Sequence, residues 1–533
     1  MSLLCRAALL SLILVPLAQA QQTTPTPAAA WWNETTALAN DAMEGRDTGT
    51  EVYERAAKYV AAKFAAAGLK PAGDNGTFFQ RVPMHQVDLD TAHSAVEIVH
   101  AGTPNTSAPL SLLQEVTLTP QSSTSYFDAE MIFVGYGVDL PRNYDLLRGK
   151  VAVVFSNTPA GLSTQQRSTF TSDRSKVLAG AEFAAILFID NPAATEPTHW
   201  PAAYARSVVL SPTAPRPQAN SPVTLRISAE AAPKLFEMTD QPHDRRFAEI
   251  LRDGEAGRPL PVLLLKSHLR LRPHLREKDI SSPNILAILP GSDPALAPEF
   301  VALSAHLDGY GFGTPVLGDR LYNGALDDAA YVATLLELAR TQAALPPTHR
   351  PKRSLLFCIF TGEEKGLLGS AYFTRHPLVP IPQIVADLNL DQLRPIFPLK
   401  ILTMEGLTDS TLGDTARLIA LKYGIELRPD LEPERNLFRR ADNYNFVRVG
   451  VPIASFIFGY DRGTPEERTY RDWYARRYHK PQDDLSTPID WQAAVTFNDF
   501  FRDLACAVAN AAQRPLWSPH SPYLPGSSGS GAV

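Results

Sequence analysis

The sequence predicts an α/β protein, a three-layer α/β/α sandwich around a mostly parallel mixed sheet, with a β-rich segment inserted into it. Three observations carry this. From about residue 280 onward, strand-like and helix-like segments alternate. One of the strand-like runs, SLLFCIF (Ser354 to Phe360), reads as fully buried, as strands of a parallel sheet covered on both faces must be. Between about 118 and 274 the texture changes to short β-type runs, KVAVVF and AAILFI among them, separated by Pro, Asn, Asp and Gly turns.

Taken along the chain, residues 1–20 stand outside the fold. Arg6 is followed by an apolar stretch from Ala7 to Leu17 and by Ala18-Gln19-Ala20, a small-x-small cleavage pattern. This reads as a signal peptide with a mature start at Gln21, and therefore as a secreted or periplasmic protein. The stretch is too short to span a bilayer, and no later run of about 18 apolar residues follows, so no membrane span is expected. Pro/Thr-rich residues 21–30 read as a leader. Residues 31–117 read as the first part of the main domain, with helical periodicity over 34–69 that stops at Gly68. The insert is assigned to 118–274 and the rest of the main domain to 275–513. The Pro/Gly/Ser-rich tail, 514–533, reads as disordered.

Composition narrows the function. The chain has 533 residues, 44% hydrophobic and 20% charged, with a net charge of −6 and no block of Lys or Arg, so a nucleic-acid or anionic-membrane partner is not expected. Once Cys5 leaves with the signal, Cys358 and Cys506 remain, and both read as inert buried thiols.

Within the main domain, strand ends collect potential metal ligands. FVALSAH ends at His306, SLLFCIFTG at Glu363-Glu364 and IVADLNLD at Asp391. NGALDD brings Asp327 and Asp328 to a helix start, and RRYHKPQDD brings His479. In a parallel α/β sheet, sites form beyond the carboxyl ends of the strands. Two adjacent glutamates there call for a partner, because a buried charge costs several kcal/mol unless it is paired or bound to metal. The mixed nitrogen and oxygen donor set suits Zn²⁺. Asp327-Asp328 would also serve as a helix cap, and Asp483-Asp484 read as a solvated turn or cap.

At these residues the sequence resembles the secreted double-zinc exopeptidases, the family of leucyl-type aminopeptidases and glutamate carboxypeptidases. The matching stretches are SAHLDG (304–309), NGALDDAA (323–330), GEEKGLLGS (362–370), NLDQ (389–392) and YHKPQDD (478–484). DAMEGRDTGT (41–50) resembles the family's amino-terminal segment, and 118–274 resembles an inserted protease-associated domain. The resemblance implies two zinc ions per chain, held by His306 and Asp391 on one side and by Glu364 and His479 on the other, with Asp327 bridging. It implies Glu363 as general base, Asp308, two residues past the ligand His306, as the acid that buttresses the metal site and as a carboxylate partner for that imidazole, and Tyr478 as donor to the developing oxyanion. It also implies a cis peptide after Asp327. One departure concerns substrate recognition: where many members have Arg-Ser-Asp-His, this chain has Arg440-Ala441-Asp442-Asn443, which keeps Arg440 and Asp442 as candidate substrate-binding residues.

The expected function is a peptide-bond hydrolase acting on peptide substrates from the amino terminus. A carboxypeptidase is the alternative, because Arg462, Arg468, Arg471, Arg476 and Arg477 crowd the stretch 461–477, although Asp461, Glu466, Glu467 and Asp472 make a solvated mixed-charge loop the reading there. A single-zinc glutaminyl cyclase and a non-catalytic scaffold are further alternatives. A retained bridge, two ligand pairs and a base argue against both.

Overall fold

The run SLLFCIF becomes a strand buried at every position, Ser354–Phe360. It pairs in parallel with Phe300–His306 on one side and antiparallel with Leu275–Leu289 on the other. Its odd and even residues face two different cores. Leu355, Phe357 and Ile359 pack with residues of the helices Glu51–Ala66, Ala330–Ala343 and Trp491–Asn510, whereas Leu356, Cys358 and Phe360 pack with Phe373 and Phe446. Each such apolar side chain stabilises the fold by about 1.5–3 kcal/mol relative to exposure. The two-sided burial makes the three layers.

The computed structural model describes residues 26–100, 106–140, 144–190, 200, 205–211, 222–236, 243–392 and 394–525. Its larger sheet runs, in spatial order, Glu426–Arg428, Ile401–Glu405, Ile453–Phe458, Ile384–Asn389, Phe300–His306, Ser354–Phe360, Leu275–Leu289, Phe79–Leu89 and Arg206–Leu210, with Lys70–Pro71 attached to Leu275–Leu289. The sheet is mixed. Its parallel core is the run from Ile453–Phe458 to Ser354–Phe360, and antiparallel pairs flank it. His306 and the residues just past 360 and 389 therefore emerge at one edge.

A second sheet of eight strands has its own core, built around Phe133, Phe155, Leu187 and Leu225. It begins earlier than the assigned 118: Ala95–His100, Thr106–Leu110 and Val116–Leu118 belong to it. The strand TSAPL is exposed along most of its length, so it lacked the apolar alternation that would have marked it. Phe79–Leu89 and Leu275–Leu289 carry the chain to and from this unit as one long antiparallel pair. Arg206–Leu210 returns to the edge of the main sheet, where Arg206 meets Asp88 at 3.0 Å and also pairs with Asp47.

Several expectations change. The signal-peptide reading of 1–20 lies outside the described residues. The leader ends sooner than 30, since Pro27–Ala39 is a helix with Thr26 as its cap. The tail is packed as far as 525: Trp517 Nε1 donates to the Gly450 carbonyl at 2.9 Å, and Tyr523 stacks on Phe438 at 4.3 Å. Two aromatic anchors outweigh a Pro/Ser-rich composition. The stretch expected as a loop at 461–477 holds a helix, Pro465–Arg476, capped by Thr464 and anchored by buried Tyr470 and Trp473. Its mixed charges are i,i+4 pairs, Arg471–Glu467 at 2.9 Å and Arg476–Asp472 at 2.7 Å. Cys358 and Cys506 are both free thiols. Among the described residues no helix is long and apolar enough to cross a membrane.

The segment DAMEGRDTGT ties the amino terminus to the sheet edge. Gly45 has a φ of +67°, and a Cβ there would lie 2.2 Å from the Tyr322 carbonyl oxygen, so only glycine fits. That turn sends Arg46 inward, fully buried, to donate to the carbonyls of Leu38, Leu307, Asn323 and Gly324 at 2.7–2.8 Å. Burial pulls its guanidinium down to about 10, against the pull of Asp483 and Asp308. Arg46→Met would leave these acceptors without their donor. It is expected to lower stability by at least about 3 kcal/mol in urea unfolding, with Arg46→Lys recovering only part because it has fewer donors.

Candidate active site

Each candidate ligand owes its position to a neighbour that fixes the backbone. His306 is the last residue of its strand, and the Leu307 N–H continues the pairing to the Phe360 carbonyl at 2.9 Å. Beyond Phe360 the chain turns so that the N–H groups of Glu363 and Glu364 donate to the Asp308 carboxylate at 3.0 and 3.3 Å. Asp327 follows Gly324, whose φ is +62° and whose Cβ would lie 2.4 Å from the Asp327 carbonyl oxygen. The N–H groups of Leu326 and Asp327 donate to the Asp483 carboxylate at 3.0 Å each. The peptide between Asp327 and Asp328 is cis, as the resemblance implies. His479 follows the helix Pro465–Arg476, with its ring stacked on Tyr478 at 3.7 Å and its Nδ1 3.1 Å from the Tyr310 hydroxyl.

The five expected ligand positions come together as two groups that share one residue. His306, Asp327 and Asp391 form one, and Asp327, Glu364 and His479 the other, with the donor atoms of each within 4.8 Å of one another. The two oxygens of Asp327 face opposite ways. Oδ1 lies 3.3 Å from His306 Nε2, and Oδ2 lies 3.4 Å from His479 Nε2, which is itself 3.5 Å from Glu364 Oε2. His306 Nε2, Asp327 Oδ2 and Asp391 Oδ1 are buried with no hydrogen-bond partner. Orphaned polar atoms of this kind cost about 1–3 kcal/mol each, and more when charged, so their presence in both donor groups, His306 Nε2 and Asp391 Oδ1 in one and Asp327 Oδ2 toward the other, fits bound cations. Imidazole nitrogens with carboxylate oxygens are donors that suit zinc.

The protein's own charges show the same shortage of positive charge. Burial, then Asp327, raises Glu364 to about 7 against the pull of His479, and burial, then Asp327, raises Asp391 to about 6. Burial, with Asp391 and Glu364, holds Glu363 well above the usual carboxylate range. The imidazole of His306 is raised even though burial opposes it, because Glu363 and its acidic neighbours outweigh burial; His479 is raised in the same way beside Glu364. Asp327, set between the two imidazoles, is held below the usual range despite burial.

Glu363 belongs to neither group of three, and its Oε2 is 4.0 Å from His306 Nε2. It borders a cavity of about 440 Å³ together with Asp327, Glu364, Asp391, Tyr478 and His479. Tyr478 oxygen accepts from Gln392 Nε2 at 3.2 Å and from Arg440 Nη2 at 3.3 Å, which leaves its hydrogen for another acceptor. Burial, then Asp327, keeps that phenol protonated.

Three expected roles are corrected. The Asp308 carboxylate is not the partner of the His306 ring, from which it lies 3.9 Å; its backbone carbonyl is, at 3.0 Å from Nδ1. The carboxylate instead holds the two glutamate N–H groups and accepts from Thr48 at 2.9 Å. Asp442 does not border the cavity. It is buried, accepts from Ser370 Oγ and is raised to about 7 by burial. Arg440 does border it, whereas Arg462, Arg468, Arg471, Arg476 and Arg477 do not. Asp483, read as a solvated turn, is 2% exposed and carries the Asp327 backbone. Tyr310 went unread because no residue pattern links it to His479; only the fold brings them together.

Residues 284–505 match the model of peptidase family M28. That segment belongs to peptidase family M28. The M28 segment contains every candidate ligand. Two curated relatives match part of the chain. Aminopeptidase YwaD of Bacillus subtilis (strain 168) is 25% identical over 193 residues, 35% of this chain and 36% of the relative. Aminopeptidase NAALADL1 of Mus musculus is 32% identical over 129 residues, 24% of this chain and 15% of the relative. The matched stretches thus span about a third or less of the relatives' length. Over the whole architecture, an aminopeptidase from Aneurinibacillus sp. strain AM-1 superposes with a TM-score of 0.57 at 19% identity, covering 91% of this chain and 94% of the other. BSAP, a zinc aminopeptidase from Bacillus subtilis, gives 0.53 at 18% identity, covering 91% and 94%. Both superpositions carry the α/β fold.

The raised groups predict a pH dependence. A group whose pKa rises on folding stabilises the protein while both states are protonated, and that stabilisation is lost as pH rises through the folded value. Glu364 and Asp391 lie at about 7 and about 6, Asp483 is raised to about 7 by burial, and His306 and His479 are raised too, so all act in one direction. Chelator-treated protein is expected to become steadily less stable between about pH 4.5 and 8. Added zinc, which favours the deprotonated ligands, should offset that loss. Thermal unfolding at several pH values, with and without zinc, checks this.

Proposed function

We propose that the chain is a zinc-dependent exopeptidase, and specifically an aminopeptidase that works through two co-catalytic zinc ions. The observation that supports it most is the pair of donor groups sharing Asp327, with Glu363 beside them on the cavity wall. Membership of the M28 segment and the aminopeptidase relatives support the same reading. His306 and Asp391 would hold one ion, Glu364 and His479 the other, with Asp327 serving both. Bound there, zinc supplies polarisation of the scissile carbonyl and acidification of the attacking water.

The chain's own residues do the rest. Glu363 takes the proton of the attacking water and returns it to the departing amine. Tyr478, whose oxygen accepts from Gln392 and Arg440, donates its one O–H to the oxyanion as the carbonyl carbon becomes tetrahedral. Asp308 is a positioning residue: by holding two successive N–H groups it sends Glu363 and Glu364 to different tasks. The acids facing the cavity favour a substrate ammonium.

The second unit, in this reading a protease-associated domain, limits substrate length. Its helix Thr164–Gly180 approaches the turn Pro433–Arg435, near the cavity residues Leu437 and Arg439, and its Leu113 carbonyl accepts from Thr314 at 3.3 Å. The segment 1–20 is read as an export signal.

Acetylating the amino terminus of a peptide substrate is expected to abolish cleavage, while amidating the carboxyl terminus leaves it intact. The reverse would make the chain a carboxypeptidase and assign Arg440 to the substrate carboxylate. The neighbouring glutamates should also separate. Glu363→Gln is expected to lower kcat by about 10²–10⁴-fold with zinc content unchanged. Glu364→Gln should lose zinc and thermal stability along with activity.

A further inference from the structure

The cavity extends away from the candidate metal ligands across two neighbouring strands, and its far wall carries an acid that the reaction does not use. Glu405 ends the strand Ile401–Glu405 and pairs with Ser455, which in turn pairs with Asn389, two residues before Asp391. Two strand spacings put Glu405 roughly 10 Å from Asn389, backbone to backbone. Paired residues on adjacent strands share a face, so Glu405 and Ser455 both border the cavity while Met404 and Phe456 enter the core. Glu405 is half-buried, and its Oε1 has no hydrogen-bond partner. Burial, then Asp430 and Asp409, raises its carboxyl to about 7. The charged groups acting on it are acids, and what it lacks is a cation.

The arginines of the cavity do not supply one. Arg440 donates to Tyr478 and faces Asp391 and Glu363, and Arg439 lies 5.5 and 5.8 Å over the rings of Tyr444 and Tyr523. Among the described residues neither pairs with Glu405. A substrate cation therefore fits, and distance decides which. The α-ammonium is two bonds from the scissile carbonyl carbon, so it stays beside Glu363 and Asp391. A lysine Nζ is six bonds out, roughly 7 Å when extended, which suits the span to Glu405 once its own side chain reaches inward. Leu437 and Ile457 give the same cavity apolar wall for an aliphatic stem.

We infer that Glu405 sets specificity, taking the ammonium or guanidinium of a lysine or arginine side chain on the first residue of the substrate. This rests on the aminopeptidase reading. The test compares kcat/KM for lysine and norleucine p-nitroanilides, which differ by that one ammonium group, on the zinc-loaded full chain. The native protein should prefer lysine by about tenfold or more, and Glu405→Gln should reduce the lysine-to-norleucine ratio by about 10–100-fold. A ratio unmoved by the substitution overturns the assignment while leaving the aminopeptidase reading intact. If the variant fails to fold, the native ratio decides alone, and norleucine cleaved as well as lysine overturns it. Failure to cleave any aminoacyl substrate overturns both.

Discussion

Buried negative charge that the chain cannot neutralise by itself is the constraint on which the centre of this protein depends. Asp327, Glu363, Glu364 and Asp391 meet two imidazoles at the edge of a sheet whose strands are buried on both faces. Isolated carboxylates in such a place cost several kcal/mol each, and two imidazoles cannot balance four of them. The raised carboxyls and the unpartnered His306 Nε2, Asp327 Oδ2 and Asp391 Oδ1 express one deficit. Divalent cations would remove it, and in doing so would couple stability, metal binding and chemistry.

The surrounding structure can be understood as what holds that charge in place. Asp308 and Asp483 do corresponding jobs on the two sides. Each spends its carboxylate on two successive backbone N–H groups, one under the adjacent glutamates and one under Asp327. Arg46 then fastens the loops that follow His306 and precede Asp327 to the amino-terminal helix. Loss of any of these would misplace ligands without removing one, which is why residues far from the cavity can control the site.

Much of this was legible in the sequence because the informative signals were local. Apolar runs marked the central strands, and His306, Glu363, Glu364 and Asp391 follow those runs directly. The family resemblance then assigned Asp327, His479 and Tyr478, and the fold brings all of them to one edge. What was not legible depended on contacts between distant segments. Nothing local distinguishes Asp483, which is buried, from Asp484, which caps an exposed turn. The resemblance makes Asp308 the acid that buttresses the metal site, but nothing local shows that its carboxylate serves a loop 55 residues further on. The helix at 465–476 is hidden by a mixed-charge composition and marked only by the i,i+4 spacing of its charges, and Glu405 is a lone acid at a strand end, which carries no pattern.

Metal binding at this centre depends on one carboxylate, Asp327, serving two cations. Elemental analysis of protein stripped by chelator and reconstituted with zinc measures that directly, when run beside the Asp327→Ala variant. We expect close to two zinc ions per chain in the native protein and loss of both from the variant, because Asp327 contributes to each group of donors. A native count that stays at one, or a variant that still holds two, would contradict it.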